Sequence, residues 1–174
     1  MKEYIHGGDI YRHPDVLDFS ANINPLGTPP AVVQAAKDSM EWICHYPDAC
    51  QEKLKQALAA YEQVPVEWLI CGNGAAELIF ALVQAVKPKR ALVMAPTFAE
   101  YAQALEAVGC EVDREILKKE DGFTLQRTIL EKLQKEDLQM VFLCNPNNPT
   151  GILINPKLLR EIVTICEKRN IYLV

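Results

Sequence analysis

The sequence predicts an α/β protein built around a mainly parallel sheet, and three observations carry that expectation. Short apolar runs of strand type alternate with stretches whose apolar residues recur at helical spacing, in repeated strand, helix, strand order. A glycine loop, Gly72-Asn73-Gly74, opens an apolar helical stretch. A loop of asparagines and prolines, Cys144-Asn145-Pro146-Asn147-Asn148-Pro149-Thr150-Gly151, follows a strand and precedes a helix, the position where ligands gather in such folds.

In chain order, the residues before Pro30 are rich in Gly, Pro and Asn without helical period and read as an extended arm. A proline start and the stripe Ala31, Val32, Ala35, Ala36 and Met40 predict a helix from Pro30 to near Trp42. After the turn Tyr46-Pro47-Asp48, Asp48 is placed to cap a second amphipathic helix through about Tyr61, with Leu54, Leu58 and Tyr61 on one face. Leu69-Ile70-Cys71 reads as a short strand running into the glycine loop, and Ala75 to Val86 as a buried helix stopped by Pro88. Strands follow at Ala91 to Ala95, Glu111 to Ile116, Met140 to Cys144 and from Ile171 to Val174. Between them lie helices at Phe98 to Val108, Thr124 to Gln134 and Pro156 to Lys168, the last capped by Asn155. A strand begun at Ile171 and unfinished at Val174 leads to the expectation that the chain stops in mid-domain.

Composition narrows the function classes. Over 174 residues, 49% hydrophobic against 24% charged is ordinary globular usage, not disorder. The net charge of -5, with basic residues scattered, leaves no footprint for nucleic acid. No apolar run approaches the ~20 residues of a membrane span, and the first residues lack a secretory apolar segment, so a cytoplasmic protein is expected. The six cysteines are widely spaced and read as reduced structural thiols; Cys44, His45 and Cys50 lack a second pair that would complete a zinc set.

Gly72-Asn73-Gly74-Ala75-Ala76-Glu77 suits an anion at a helix N-terminus, where backbone N–H groups and the helix dipole favour negative charge. It lacks the Lys-Ser/Thr ending of a triphosphate loop and the third glycine of a dinucleotide fingerprint. A tight turn needing glycine backbone angles is the bland alternative. The Asn-Pro loop likewise reads either as a ligand loop or as a plain turn.

Asn145-Pro146-Asn147-Asn148-Pro149-Thr150-Gly151 resembles the signature loop of aspartate-aminotransferase-like, fold-type I enzymes that use pyridoxal 5'-phosphate (PLP). The resemblance runs along essentially the whole chain. It narrows at His6-Gly7-Gly8 and Asp18-Phe19-Ser20-Ala21-Asn22-Ile23-Asn24-Pro25-Leu26-Gly27, which are similar to the opening of threonine-phosphate decarboxylases of cobalamin biosynthesis more than to that of histidinol-phosphate aminotransferases. Pro96-Thr97-Phe98-Ala99-Glu100-Tyr101 fits the same group.

The resemblance implies a three-layer PLP-dependent transferase-like large domain, incomplete here, over residues 46–174. Residues 1–45 would form an N-terminal arm and small-domain segment. It implies that Gly74, Ala75 and Ala76 present backbone N–H groups to the PLP phosphate. Phe98 would stack on the pyridine ring with Tyr101 close by, and Asn148 would hydrogen-bond the phenolic oxygen. Tyr46 would reach the PLP phosphate of a partner in a homodimer, and His6, Gly7 and Asn22 would contact the substrate's phosphate. Read without the family, Phe98 is equally a core residue, Tyr46 part of a Tyr-Pro turn and His6 a solvated side chain.

The implied reaction is PLP-dependent decarboxylation of L-threonine O-3-phosphate to (R)-1-amino-2-propanol O-2-phosphate, with a histidinol-phosphate or related aminotransferase as the alternative. The resemblance places an aspartate for the pyridine nitrogen just after Val174 and the Schiff-base lysine further on, so no catalytic residue is assigned in this chain. Its twelve lysines stand in surface contexts. The chain by itself is therefore expected to be inactive and marginally stable, and a non-catalytic binding module is the third reading.

Overall fold

The computed structural model describes residues 7–174. These divide into a first unit ending at Ile70 and a second spanning Cys71–Val174. In the first, α1 (Pro30–Ser39) starts at a proline and continues as a 3-10 turn over Met40–Trp42. The N-cap of α2 (Glu52–Glu62) is Gln51, in the left-handed region, and not Asp48 as expected; Asp48 instead closes the preceding turn, accepting from the N–H groups of Cys50 (3.0 Å) and Glu52 (2.9 Å). Those two bonds, Glu52's first, hold the Asp48 carboxyl below its ordinary value. Neither helix has a buried residue, so the stripe of Leu54, Leu58 and Tyr61 remains largely exposed.

The second unit is a four-stranded, all-parallel sheet in the order β2-β1-β3-β4. Its strands are β1 (Arg90–Ala95), β2 (Glu111–Ile116), β3 (Met140–Phe142) and β4 (Tyr172–Leu173). Successive side chains point to opposite faces, which makes two cores. Leu92, Met94 and Val141 pack on one face with Ile129 and Leu133 around the short helix α5 (Ile129–Lys132) and with Leu158, Ile162 and Cys166 of α6 (Pro156–Arg169). Ala91, Val93, Met140 and Phe142 pack on the other with Ile79 and Val83 of α3 (Ala75–Val86) and Ala104 and Leu105 of α4 (Ala99–Ala107). Helices thus cover both faces, the three-layer arrangement expected, and β1 reads as a continuous apolar run because neither face meets water. Each fully buried Leu, Ile or Phe here adds roughly 1.5–3 kcal/mol.

Two devices finish the layers. Asn155 accepts from Lys157 N (2.9 Å) and Leu158 N (3.5 Å), and Pro156 follows at the first helical position of α6. At the amino-terminal edge of the sheet, Arg90 bonds Asp137 (2.6 Å), Glu111 (2.5 Å) and Asp113 (3.1 Å), and Lys135 also reaches Asp113 (2.9 Å). Desolvation alone would raise the Asp113 carboxyl, but the bonds from Lys135 and Arg90 outweigh it and hold the group below its ordinary value.

Three local expectations are corrected. Residues 69–71 form no strand: a 3-10 turn over Val66–Trp68 leads into extended but unpaired chain, with Ile70 79% exposed. The helix expected from Thr124 to Gln134 shrinks to Ile129–Lys132, because Ile129, Leu130 and Glu131 each bond the carbonyl three residues back while Leu125 inserts into the core. The helix α3, expected to be buried, buries only Ile79 and Val83 and leaves Phe80 39% exposed. Its composition is apolar all round, but one face alone meets the sheet. Among the described residues no helix is long and apolar enough to cross a membrane.

Candidate active site

Parallel strands end together, so the loops after β1 and β3 gather at the sheet's carboxyl edge. The helix α3 joins this edge by its N-terminus. Three residues separate its end at Val86 from the start of β1 at Arg90, so its C-terminus lies at the amino edge. Twelve helical residues then span roughly 18 Å, comparable with the six residues of β1.

Gly74 is the N-cap of α3, with φ +86° and ψ 167°, and no side chain caps the helix. A side chain at Gly74 would have space around it but a strained backbone. Ala75 and Ala76 open the first turn, whose N–H groups have no intrahelical acceptor. Glu77, instead of taking those N–H groups, folds back to accept from the backbone N–H of Asn73 and from its side-chain amide (Nδ2, 3.0 Å). Gly72 accommodates this closure, since a Cβ there would lie 2.9 Å from Leu78 Cδ2 and 3.0 Å from Glu77 Oε2. The loop is also closed by Gly74 N, which donates to Gly72 O (2.9 Å) and so is not free as expected, while no side chain caps the first-turn alanine N–H groups.

The β1–α4 loop carries Phe98, half-buried at the N-cap of α4. Its ring meets Tyr101 edge-on (centroids 5.5 Å, 77° between planes), and Tyr101 in turn stacks on Phe142 (4.7 Å, 17°). Phe98 is therefore backed by two further rings, the deepest of them 1% exposed. Burial, followed by its hydrogen bond with Cys144, pushes the Tyr101 hydroxyl up to about 12, so it is a neutral group at physiological pH.

The loop after β3 holds Asn148, half-buried, whose backbone N–H donates to the Cys144 sulfur (3.3 Å). Cys144 in turn donates to the carbonyl of Pro146 (3.3 Å), and Asn145 Oδ1 accepts from Ile154 N (2.9 Å). Asn147, which the sequence reading passed over beside Asn148, is buried at 6% exposure. It accepts from Thr97 (2.9 Å) and donates to Pro96 O (3.1 Å) and Thr150 Oγ1 (2.9 Å). Two adjacent asparagines in one loop gave no sign in one dimension of which faces inward.

Gly74, Ala75, Ala76, Phe98, Tyr101 and Asn148 thus all belong to the second unit. Tyr46 belongs to the first and is fully exposed between Trp42 and Asp48. His6 lies outside the described residues. Gly7 and Gly8 lie against Ser20, two residues before Asn22: a Cβ on Gly7 would fall 1.9 Å from Ser20 O, Gly8 N donates to Ser20 Oγ (2.8 Å), and Ser20 donates twice to Asp18 (2.7 and 2.5 Å). Two segments that the sequence separates by more than a dozen residues therefore form one local structure. Among the described residues no group of three His, Cys, Asp or Glu could hold a metal ion.

The profile of the family described as Aminotransferase class I and II matches residues 14–174. The threonine-phosphate decarboxylase of Salmonella typhimurium is 47% identical over 97% of this chain and 48% of its own length. The histidinol-phosphate aminotransferase of Symbiobacterium thermophilum is 33% identical over 87% of this chain and 43% of its own. The crystal structure of the histidinol-phosphate aminotransferase from Clostridium acetobutylicum superposes with a TM-score of 0.78 at 26% identity, covering 91% of this chain and 46% of that one. The chain spans about half the length of the curated relatives it matches. With residues 14–174 matched and the fold in agreement, the chain belongs to the class I and II aminotransferase family.

Proposed function

We propose that this chain is the N-terminal part of a PLP-dependent threonine-phosphate decarboxylase, acting on L-threonine O-3-phosphate to give (R)-1-amino-2-propanol O-2-phosphate and carbon dioxide in cobalamin biosynthesis. The observation that carries the reading is an anion cradle and an aromatic platform in one α/β unit, in a chain 47% identical to a threonine-phosphate decarboxylase. The residues fit the cofactor. Uncapped first-turn N–H groups at Ala75 and Ala76 suit a phosphate, whereas the Gly74 N–H donates to Gly72 O (2.9 Å); Phe98 offers a ring face supported from below, and the Asn148 amide hydrogen-bonds no other described side chain.

PLP, when bound, supplies an electron-withdrawing ring that takes up the electron pair released as a bond to the amino acid's Cα breaks. The chain's own part is binding and orientation. Ala75 and Ala76 anchor the phosphate through main chain only, Phe98 keeps the ring flat and excludes water from one side, and Asn148 donates to the ring oxygen and favours its ionised form. Tyr101, neutral because it is buried, supports Phe98 without adding charge. In the arm, Gly7 and Asn22, with His6, are proposed to receive the substrate's phosphate, and Tyr46 to reach the cofactor of a partner in a homodimer. Residues 1–45 would then serve as arm and small-domain segment and 46–174 as the first part of the large domain. The lysine that carries the cofactor is placed outside this chain, which by itself would turn nothing over.

The test is product analysis with the intact natural protein, PLP and L-threonine O-3-phosphate. Release of carbon dioxide and aminopropanol phosphate supports the decarboxylase. A keto product formed only when a 2-oxo acid acceptor is added would establish an aminotransferase instead, and turnover by the 174-residue chain alone would sink the placement of the lysine elsewhere.

A further inference from the structure

Asn147 is one of few polar side chains buried in the second unit, and it lines a small apolar cavity with Met94, Leu117, Phe123, Leu125, Ile152 and Ile154. An amide in such surroundings is costly unless its donors and acceptor are engaged. They are. Its Oδ1 accepts from Thr97 Oγ1 (2.9 Å), and its Nδ2 donates to Pro96 O (3.1 Å) and to Thr150 Oγ1 (2.9 Å). Its backbone N–H donates to Ile152 O (3.0 Å) and its carbonyl accepts from Gly151 N (2.6 Å), so its own loop closes around it.

Two of the three side-chain bonds cross some fifty positions to Pro96 and Thr97, the residues immediately before Phe98. The residue immediately after Asn147 is Asn148. We propose that Asn147 is a positioning residue that sets the spacing between the Phe98 ring and the Asn148 amide, the two groups assigned to grip the cofactor ring. This rests on the cofactor reading above. Asparagine is the residue type that serves, because the site needs one acceptor toward Thr97 and donors toward Pro96 and Thr150. Aspartate would set an acceptor against the Pro96 carbonyl, and an aliphatic side chain would leave that carbonyl and the Thr97 hydroxyl without their partner.

The experiment titrates the intact apo protein with pyridoxamine 5'-phosphate, which has the ring and phosphate of PLP but does not condense with surface lysines. Affinity is read from fluorescence and from the circular dichroism induced in the ligand's near-ultraviolet band, well below the thermal midpoint of each variant. With loss of preorganisation, Asn147→Ala is expected to weaken binding about ten-fold and Thr97→Val about three-fold, with a diminished induced signal, while Thr97→Ser stays within about two-fold. Thr97→Val removes the hydroxyl at nearly constant shape, so the Thr97 pair decides the matter if Asn147→Ala does not fold.

Lowered thermal midpoints with affinity and induced dichroism unchanged in Asn147→Ala and Thr97→Val would overturn the proposal, leaving Asn147 a merely structural residue. If wild type binds but Phe98→Ala and Asn148→Ala bind equally well, the gripping residues are misassigned and the proposal falls with them. Failure of wild type to bind would overturn the cofactor reading itself.

Discussion

Replacing Phe142 by leucine tests how the aromatic platform is supported. Phe142 is 1% exposed on β3, and its ring lies flat under Tyr101, which meets Phe98 edge-on. Leucine keeps the position apolar but forfeits the stacked pair, worth about 0.5–1.5 kcal/mol beyond area burial, and the space it leaves unfilled adds about 0.5 kcal/mol. A loss of about 1–2 kcal/mol is expected. Amide hydrogen exchange over β1 and β3 reads it directly.

The same substitution has a second, spectroscopic readout. Tyr101 ionises at about 12 because burial disfavours the phenolate. A raised value in the folded state means that this tyrosine's contribution is fully present below its unfolded value near 10 and is lost as pH rises through about 12. Ultraviolet titration of wild type should show one late-ionising tyrosine, and in Phe142→Leu that step should move toward the ordinary range as the ring loosens. Unchanged exchange in β1 and β3 together with an unmoved late step would refute the idea that Phe142 supports the platform.

Removing the α6 cap by Asn155→Ala frees the N–H groups of Lys157 and Leu158 and should cost about 1 kcal/mol, seen as faster exchange confined at first to the start of α6. At the amino edge, the depressed Asp113 carboxyl gives stability present above its unfolded value near 3.9 and lost as pH falls through its lower folded value. Acid unfolding of Arg90→Met should therefore begin at higher pH than in wild type, with the gap narrowing at high salt; coincident acid curves would contradict this.

The elements legible in one dimension are those whose signals are local. Pro156 after Asn155 marks the start of α6, the run from Ala91 to Ala95 is apolar because both faces of β1 are covered, and Gly74 announces a backbone turn that only glycine adopts without strain. The family resemblance, carried by the Asn-Pro loop and the opening residues, pointed to the right relatives.

What needed the tertiary structure was every relation between distant residues. Residues 69–71 have strand-like composition but find no partner strand, and β pairing is decided by the neighbour as much as by the segment. The stretch from Thr124 gave up its first helical turn so that Leu125 could enter the core. Which of Asn147 and Asn148 turns inward is settled by Pro96 and Thr97, fifty positions away, and the approach of Gly7 to Ser20 by the folding of the arm on itself. Local chemistry determined the pieces of this protein; long-range hydrogen bonding and packing, which have no signature in a single stretch of sequence, decided which side chains meet.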